Sequence, residues 1–142
     1  MVVKNGVIGL IGSLREKYSR FLEKELKTCG MQGMVGSHGA IFNCLYEQGG
    51  QMKVMDIAKR IGKSKSNVTE LVNKLEAAGY VTKTNCCVDA RCTYVTLTDK
   101  GHAVKRDFDA ISKKLIDRAY KGFTEQEKEL LVNGLEKMWK NF

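Results

Sequence analysis

The chain contains no proline in 142 residues, so no ring clash or missing N–H interrupts a helix, and its 14 glycines supply the punctuation. It also lacks a membrane-length apolar run. The stretch from Gly6 to Gly12 falls far short of the roughly 20 residues a span needs, and no small-residue cleavage site follows it. No membrane partner and no secretory leader are therefore expected. Histidine is scarce, with only His38 and His102. The five cysteines (Cys29, Cys44, Cys86, Cys87 and Cys92) are an odd number, which argues against a disulfide framework. Reduced thiols in a cytoplasmic setting are the expectation. Repeats, linkers and low-complexity tracts are missing too.

The length fits a single domain able to bury a core without metal or disulfide staples. Charged residues make up 28% and hydrophobic ones 43%, which excludes a disordered tail or a fibre. The 24 Lys and Arg against 16 Asp and Glu leave a net charge of +8, a balance that favours polyanionic partners. Residues 50–101 carry 9 of the basic and 5 of the acidic side chains, so the excess is only mildly focused there.

Helical spacing of Val7, Ile11, Leu14, Tyr18, Leu22 and Leu26 predicts a long amphipathic first helix. Ser37 is placed to cap a second helix carrying Ile41, Phe42 and Leu45 and stopping at Gly49-Gly50. Val54, Ile57, Ala58 and Ile61 then form one apolar stripe, and Val68, Leu71, Val72 and Leu75 another. Between them Gly62 ends one helix and Ser64 caps the next, which is a helix-turn-helix. After Gly79, the alternating β-branched runs Tyr80–Thr84 and Thr93–Thr98 read as the strands of a hairpin with its tip at Asn85–Cys92. Thr98 opens a long helix through Val104, Phe108, Ile111, Leu115 and Ala119, ended by Gly122. Thr124 and Glu127 make a capping box for a last helix with the stripe Leu131, Leu135, Met138 and Phe142.

The fold class expected is therefore mainly α with a small β-hairpin wing (α+β), a winged helix-turn-helix with flanking dimerisation helices. One domain spans 1–142, with 1–36 and 102–142 as dimerisation helices and 37–101 as the DNA-binding region. In such a device the second helix enters the major groove of double-stranded DNA. Turning its apolar stripe inward leaves Lys65, Ser66, Asn67, Thr69, Glu70, Asn73 and Lys74 outside. Asn pairs with adenine, Lys with guanine, and Glu accepts from the cytosine amino group. Ser64 and Ser66 beside a helix N-terminus suit phosphate. A plain solvated helix face would show the same residues, and the hairpin separates the two readings. Lys83 and Arg91 project from it toward the neighbouring groove, with Asp89 as a brace for the Arg91 guanidinium.

Residues 37–101 resemble the MarR/SlyA-like transcriptional regulators. The most specific portion is Gly79-Tyr-Val-x-Lys83, Asp89-Ala-Arg91 and Val95-x-Leu97-Thr98-x-x-Gly101, with Ser64 to Glu76 similar to that family's recognition helix. The resemblance implies a homodimer, in most cases a repressor, on a pseudo-palindromic operator. It implies release by a small, often aromatic, effector or by cysteine oxidation. Three positions depart from the pattern: Ala90 replaces a second basic wing residue, Lys83 a commoner arginine, and Glu70 a basic or neutral residue. These bear on wing contact and operator sequence, not on the fold.

Cys86 and Cys87 with Cys92 are the unusual feature of this wing. In a hairpin centred near Val88 and Asp89, position 86 lies across from 91 or 92, so thiols there suit a soft metal, an arsenical or a disulfide. They match no zinc spacing, and small half-buried hydrophobes are the plainer account. Cys29 and Cys44 read as core. Cys44 with His38 lacks an orienting group and an oxyanion site, so no enzyme, cofactor or catalytic residue is expected. The alternative to a DNA-binding dimer is a winged-helix module that recruits proteins in a transcription assembly without binding an operator itself.

Overall fold

The computed structural model describes every residue except Met1, Gln32, Val35, Cys87, Asp89 and Ala90, with side chains described from Gly6 onward. Among the described residues the order is α1 (Val2–Thr28), α2 (Gly36–Glu47), β1 (Gln51–Lys53), α3 (Val54–Ile61), α4 (Lys65–Ala77), β2 (Val81–Asn85), β3 (Thr93–Leu97), α5 (Asp99–Ala103), α6 (Lys105–Ala119) and α7 (Glu125–Lys140). The strands form an antiparallel sheet in the order β1-β3-β2, so the hairpin β2–β3 carries β1 on its β3 edge.

The helix-turn-helix forms for the reasons its stripes predict. Val54, Ile57 and Ala58 from α3 and Val68, Val72 and Leu75 from α4 are all buried in one core. Gly62 takes the left-handed conformation at φ 68° that ends α3, and the Lys63 N–H closes the turn on the Ala58 carbonyl at 3.0 Å. Ser64 caps α4, its hydroxyl accepting from the Asn67 N–H at 3.1 Å. The core is completed by α2, whose Phe42 is fully buried with ring centroids 4.5 Å from Phe108 and 5.6 Å from Tyr80. Truncating such a ring to Ala costs about 3–5 kcal/mol. Phe42 thus ties the helix-turn-helix to α6.

Three elements differ from the sequence reading. Helix α2 begins at Gly36, so Ser37 lies inside it rather than capping it. The three-residue strand β1 was not expected. It exists because Gly50, at φ 98°, turns the chain back onto β3, where its carbonyl accepts from the Leu97 N–H at 2.8 Å. The long helix after Thr98 is two helices that change over at Val104. A continuous helix would give the Gly101 carbonyl to the Lys105 N–H, but the Tyr46 hydroxyl donates to that carbonyl at 2.6 Å instead.

The outer helices are finished differently from the core. Thr124 and Glu127 form the expected capping box, yet α7 has no buried residue on its own chain. Leu130, Leu131, Leu135 and Trp139 are all exposed along it, as are Ile8, Leu10, Ile11 and Leu14 along α1.

Candidate nucleic-acid interface

Helix α4 and the hairpin lie side by side, and the face they share is where the sequence-derived residues converge. Ser64, Lys65, Ser66, Asn67 and Glu70 are exposed on the first turns of α4. Their position at a capped N-terminus leaves backbone N–H groups and the positive end of the helix dipole facing outward. Thr69 is half-buried, and its hydroxyl donates to the Lys65 carbonyl at 2.8 Å, so it braces the first turn rather than facing out.

Three side chains assigned outward by spacing turn back onto the protein. The Lys83 ammonium donates to the Asn73 carboxamide oxygen and lies 3.7 Å from the Glu76 carboxylate. The Lys83 N–H also donates to Glu76 at 3.0 Å. Lys83 therefore does not project from the wing but clamps β2 to α4, using Asn73 as a second anchor. Lys74 lies on the opposite flank, its ammonium donating to the Gly33 carbonyl in the α1–α2 loop. Long flexible amines reach whichever carbonyl or carboxylate the fold brings near, and helical spacing cannot foresee a partner 41 residues away.

At the wing, Arg91 is exposed and Cys86 and Cys92 are half-buried. Cys87, Asp89 and Ala90 lie outside the described residues, and with them the brace expected of Asp89. Spacing arguments missed two residues, Glu76 and Lys53. Opposite charges seven apart across the Gly79 turn were the available signal for Glu76 with Lys83. Lys53 sits on the unexpected β1 with its ammonium 5.7 Å from the centre of the Tyr94 ring. Tyr94 and then Cys92 hold that ammonium above its ordinary lysine value.

The remaining titratable groups belong to the core. Burial raises the Cys44 thiol, with Glu47 adding to the effect, and burial followed by Asp107 raises Cys29. Both are thereby poor nucleophiles. Among the described residues, no cluster of three or more His, Cys, Asp or Glu is placed to hold a metal, and no helix is long and apolar enough to cross a membrane. A cavity of about 220 Å³ opens between α1, α2 and α6, lined by Leu22, Leu26, Asn43, Phe108, Ser112 and Leu115 among others.

Comparison with known proteins gives a consistent picture. A family model described as MarR family matches residues 37–93. The HTH-type transcriptional regulator YkoM of Bacillus subtilis is 30% identical over 115 residues, covering 81% of this chain and 74% of that protein. Among solved structures, a MarR protein from Peptoclostridium difficile superposes with a TM-score of 0.84 at 25% identity, over 96% of this chain and 86% of its own. Sco3205 of Streptomyces coelicolor, a MarR family regulator solved in complex with DNA, has a TM-score of 0.87 over 99% of this chain and 88% of its own. At 18% identity that likeness speaks for the fold.

Proposed function

The chain belongs to the MarR family of DNA-binding transcriptional regulators, and on that premise we propose that it is a homodimeric repressor of a pseudo-palindromic operator. Its family and relatives are regulators, not enzymes. The observation that carries the reading is the exposed first two turns of α4, where Lys65, Ser66, Asn67 and Glu70 stand together beside the hairpin. Lys65 and Asn67 are the base-reading candidates, Ser64 and Ser66 meet phosphate, and Arg91 enters the adjacent groove. Asn73 and Lys83 act at one remove, by holding the wing against α4.

Residues 1–36 and 102–142 serve as dimerisation helices in this proposal. The support is that no residue of α7 is fully buried on its own chain, Met138 being half-buried, while Leu131, Leu135 and Trp139 are exposed. A second copy of the chain would cover that surface and set two reading heads one helical turn apart. A small, largely apolar effector taken into the crevice between α1, α2 and α6 would tilt the reading heads, since Phe108 on its wall is in contact with Phe42 of the core. The site of action is the cytoplasm, where the DNA lies.

The test is a gel-shift of the full chain on its own upstream DNA across a salt series. Binding that weakens steeply with salt is expected. Lys65→Ala and Asn67→Ala should each cost about tenfold, at roughly 1–3 kcal/mol per base contact. Absence of binding at low salt would sink the proposal and favour a protein-recruiting module.

A further inference from the structure

We propose that Cys86 and Cys92 form a peroxide-oxidisable dithiol at the base of the wing tip, a covalent modification site set beside the DNA-reading face. The pairing of β2 with β3 runs through Val81↔Leu97 to Asn85↔Thr93, and one residue further the Cys86 N–H donates to the Cys92 carbonyl at 2.9 Å. Cys86 and Cys92 are therefore directly opposite each other, as a hydrogen-bonded antiparallel pair. Such pairs hold their Cα atoms about 5.5 Å apart, inside the range of about 4.4–6.8 Å that a disulfide spans. Directly opposite residues share a face of the sheet.

Strand alternation puts that face on the outside. Val95 and Leu97 point into the core, so Tyr94 and Cys92 point away from it. Lys53 is paired with Tyr94 across β1 and β3, and its ammonium lies over the Tyr94 ring, one step along the face from the thiols. A groove of about 540 Å³ is lined by Cys86 and Cys92 together with Lys53, Lys65 and Arg91, with Asp56 as the acid on its wall. Lys53, Lys65 and Arg91 thus line the same groove as the two half-buried cysteines, and a cation beside a thiol generally favours its reactive form. Tyr94 is the first cause that raises the Lys53 ammonium, and Cys92 and then Cys86 add to it. Cys29 and Cys44, by contrast, are held as thiols by burial.

The chemistry balances with a peroxide as oxidant. One thiolate attacks a peroxide oxygen, forming S–O as O–O breaks, and one water leaves once protonated. The opposite thiolate then attacks the sulfenic sulfur, forming S–S as S–O breaks, and a second water leaves. Two thiols and one hydrogen peroxide become a disulfide and two waters, the sulfurs giving up two electrons. The link closes a loop over residues 87–91, which includes Arg91. Its consequence for affinity rests on the proposed DNA reading, whereas the reaction itself does not.

The full chain, and a Cys87→Ser variant, would be treated with hydrogen peroxide and mapped as peptides without reduction. The expected result is an intrachain Cys86–Cys92 link in equal yield in both, lost on reduction and not formed in Cys86→Ser or Cys92→Ser. Lys53→Gln should slow its formation about threefold or more through the lost cation. A link through Cys87, a link between chains, or oxidation of these thiols without any link would overturn the site. In the same samples, DNA affinity should change about tenfold on oxidation and recover on reduction. A mapped link that leaves affinity within about twofold overturns the regulatory consequence. A chain that forms the link but binds no DNA overturns the DNA reading and leaves the site intact.

Discussion

Gly101 shows how tightly the wing is seated on the helices. A Cβ placed there would meet the Tyr80 carbonyl oxygen at 2.2 Å, and backbone cannot step aside as a side-chain end can. Gly101→Ala should therefore destabilise the fold by about 2–3 kcal/mol through overpacking, read as a lower urea midpoint. A loss within about 0.5 kcal/mol would contradict that close approach. The Gly101 carbonyl, in turn, accepts from the Tyr46 hydroxyl at 2.6 Å, and that hydroxyl brings a pH dependence. Burial, followed by Asp109 and Asp107, pushes the Tyr46 hydroxyl up to about 12. An unfolded tyrosine ionises near 10, so this contribution to stability is complete below about pH 10. It is lost as pH rises from there through about 12, because the unfolded state gives up the proton first. Thermal unfolding of Tyr46→Phe should show a shallower alkaline decline than wild type over that window. Parallel curves would refute it. At this scale the small polar residues of α4 were legible from spacing, because a capped N-terminus leaves them little to bind but solvent. Lys74 and Lys83 were not, because their long side chains find partners that only the folded chain brings near.

Elements were legible in proportion to how local their causes are. Helices α3 and α4 follow from two stripes, one left-handed glycine and one serine cap, all within residues 54–75. The hairpin follows from alternation. Strand β1 was invisible because three residues carry no period, and the change from α5 to α6 because the Tyr46 hydroxyl that takes the Gly101 carbonyl lies 55 residues away. Glu76 is where this scale reaches the proposed DNA-reading face. Its carboxylate receives the Lys83 N–H at 3.0 Å and so holds β2 to α4. Its ion pair with Lys83 is partly exposed and worth at most about 1 kcal/mol to stability. Glu76→Ala should therefore leave the melting curve nearly in place. By letting the wing drift, it should still weaken DNA binding about fivefold, near 1 kcal/mol, in an anisotropy titration. Unchanged affinity would mean that the clamp does not set the wing.

The whole molecule is a packed helix-turn-helix and hairpin joined to outer helices that expose apolar side chains. Leu131, Leu135 and Trp139 on α7 are exposed, and no residue of α7 is fully buried on its own chain. An apolar surface of that kind suits the dimer interface proposed above. Leu131→Glu with Leu135→Glu should give a monomer by sedimentation equilibrium that keeps its helical circular dichroism, since neither side chain supports the core. A dimer that survives both charges would place the interface elsewhere.

The central claim is that two copies present two reading heads to one operator, and a hydroxyl-radical footprint of the full chain on its own upstream DNA tests it most directly. Two protected patches related by a two-fold axis are predicted, their centres about 34 Å or one helical turn apart. A single unsymmetrical patch, or no protection at low salt, would contradict it.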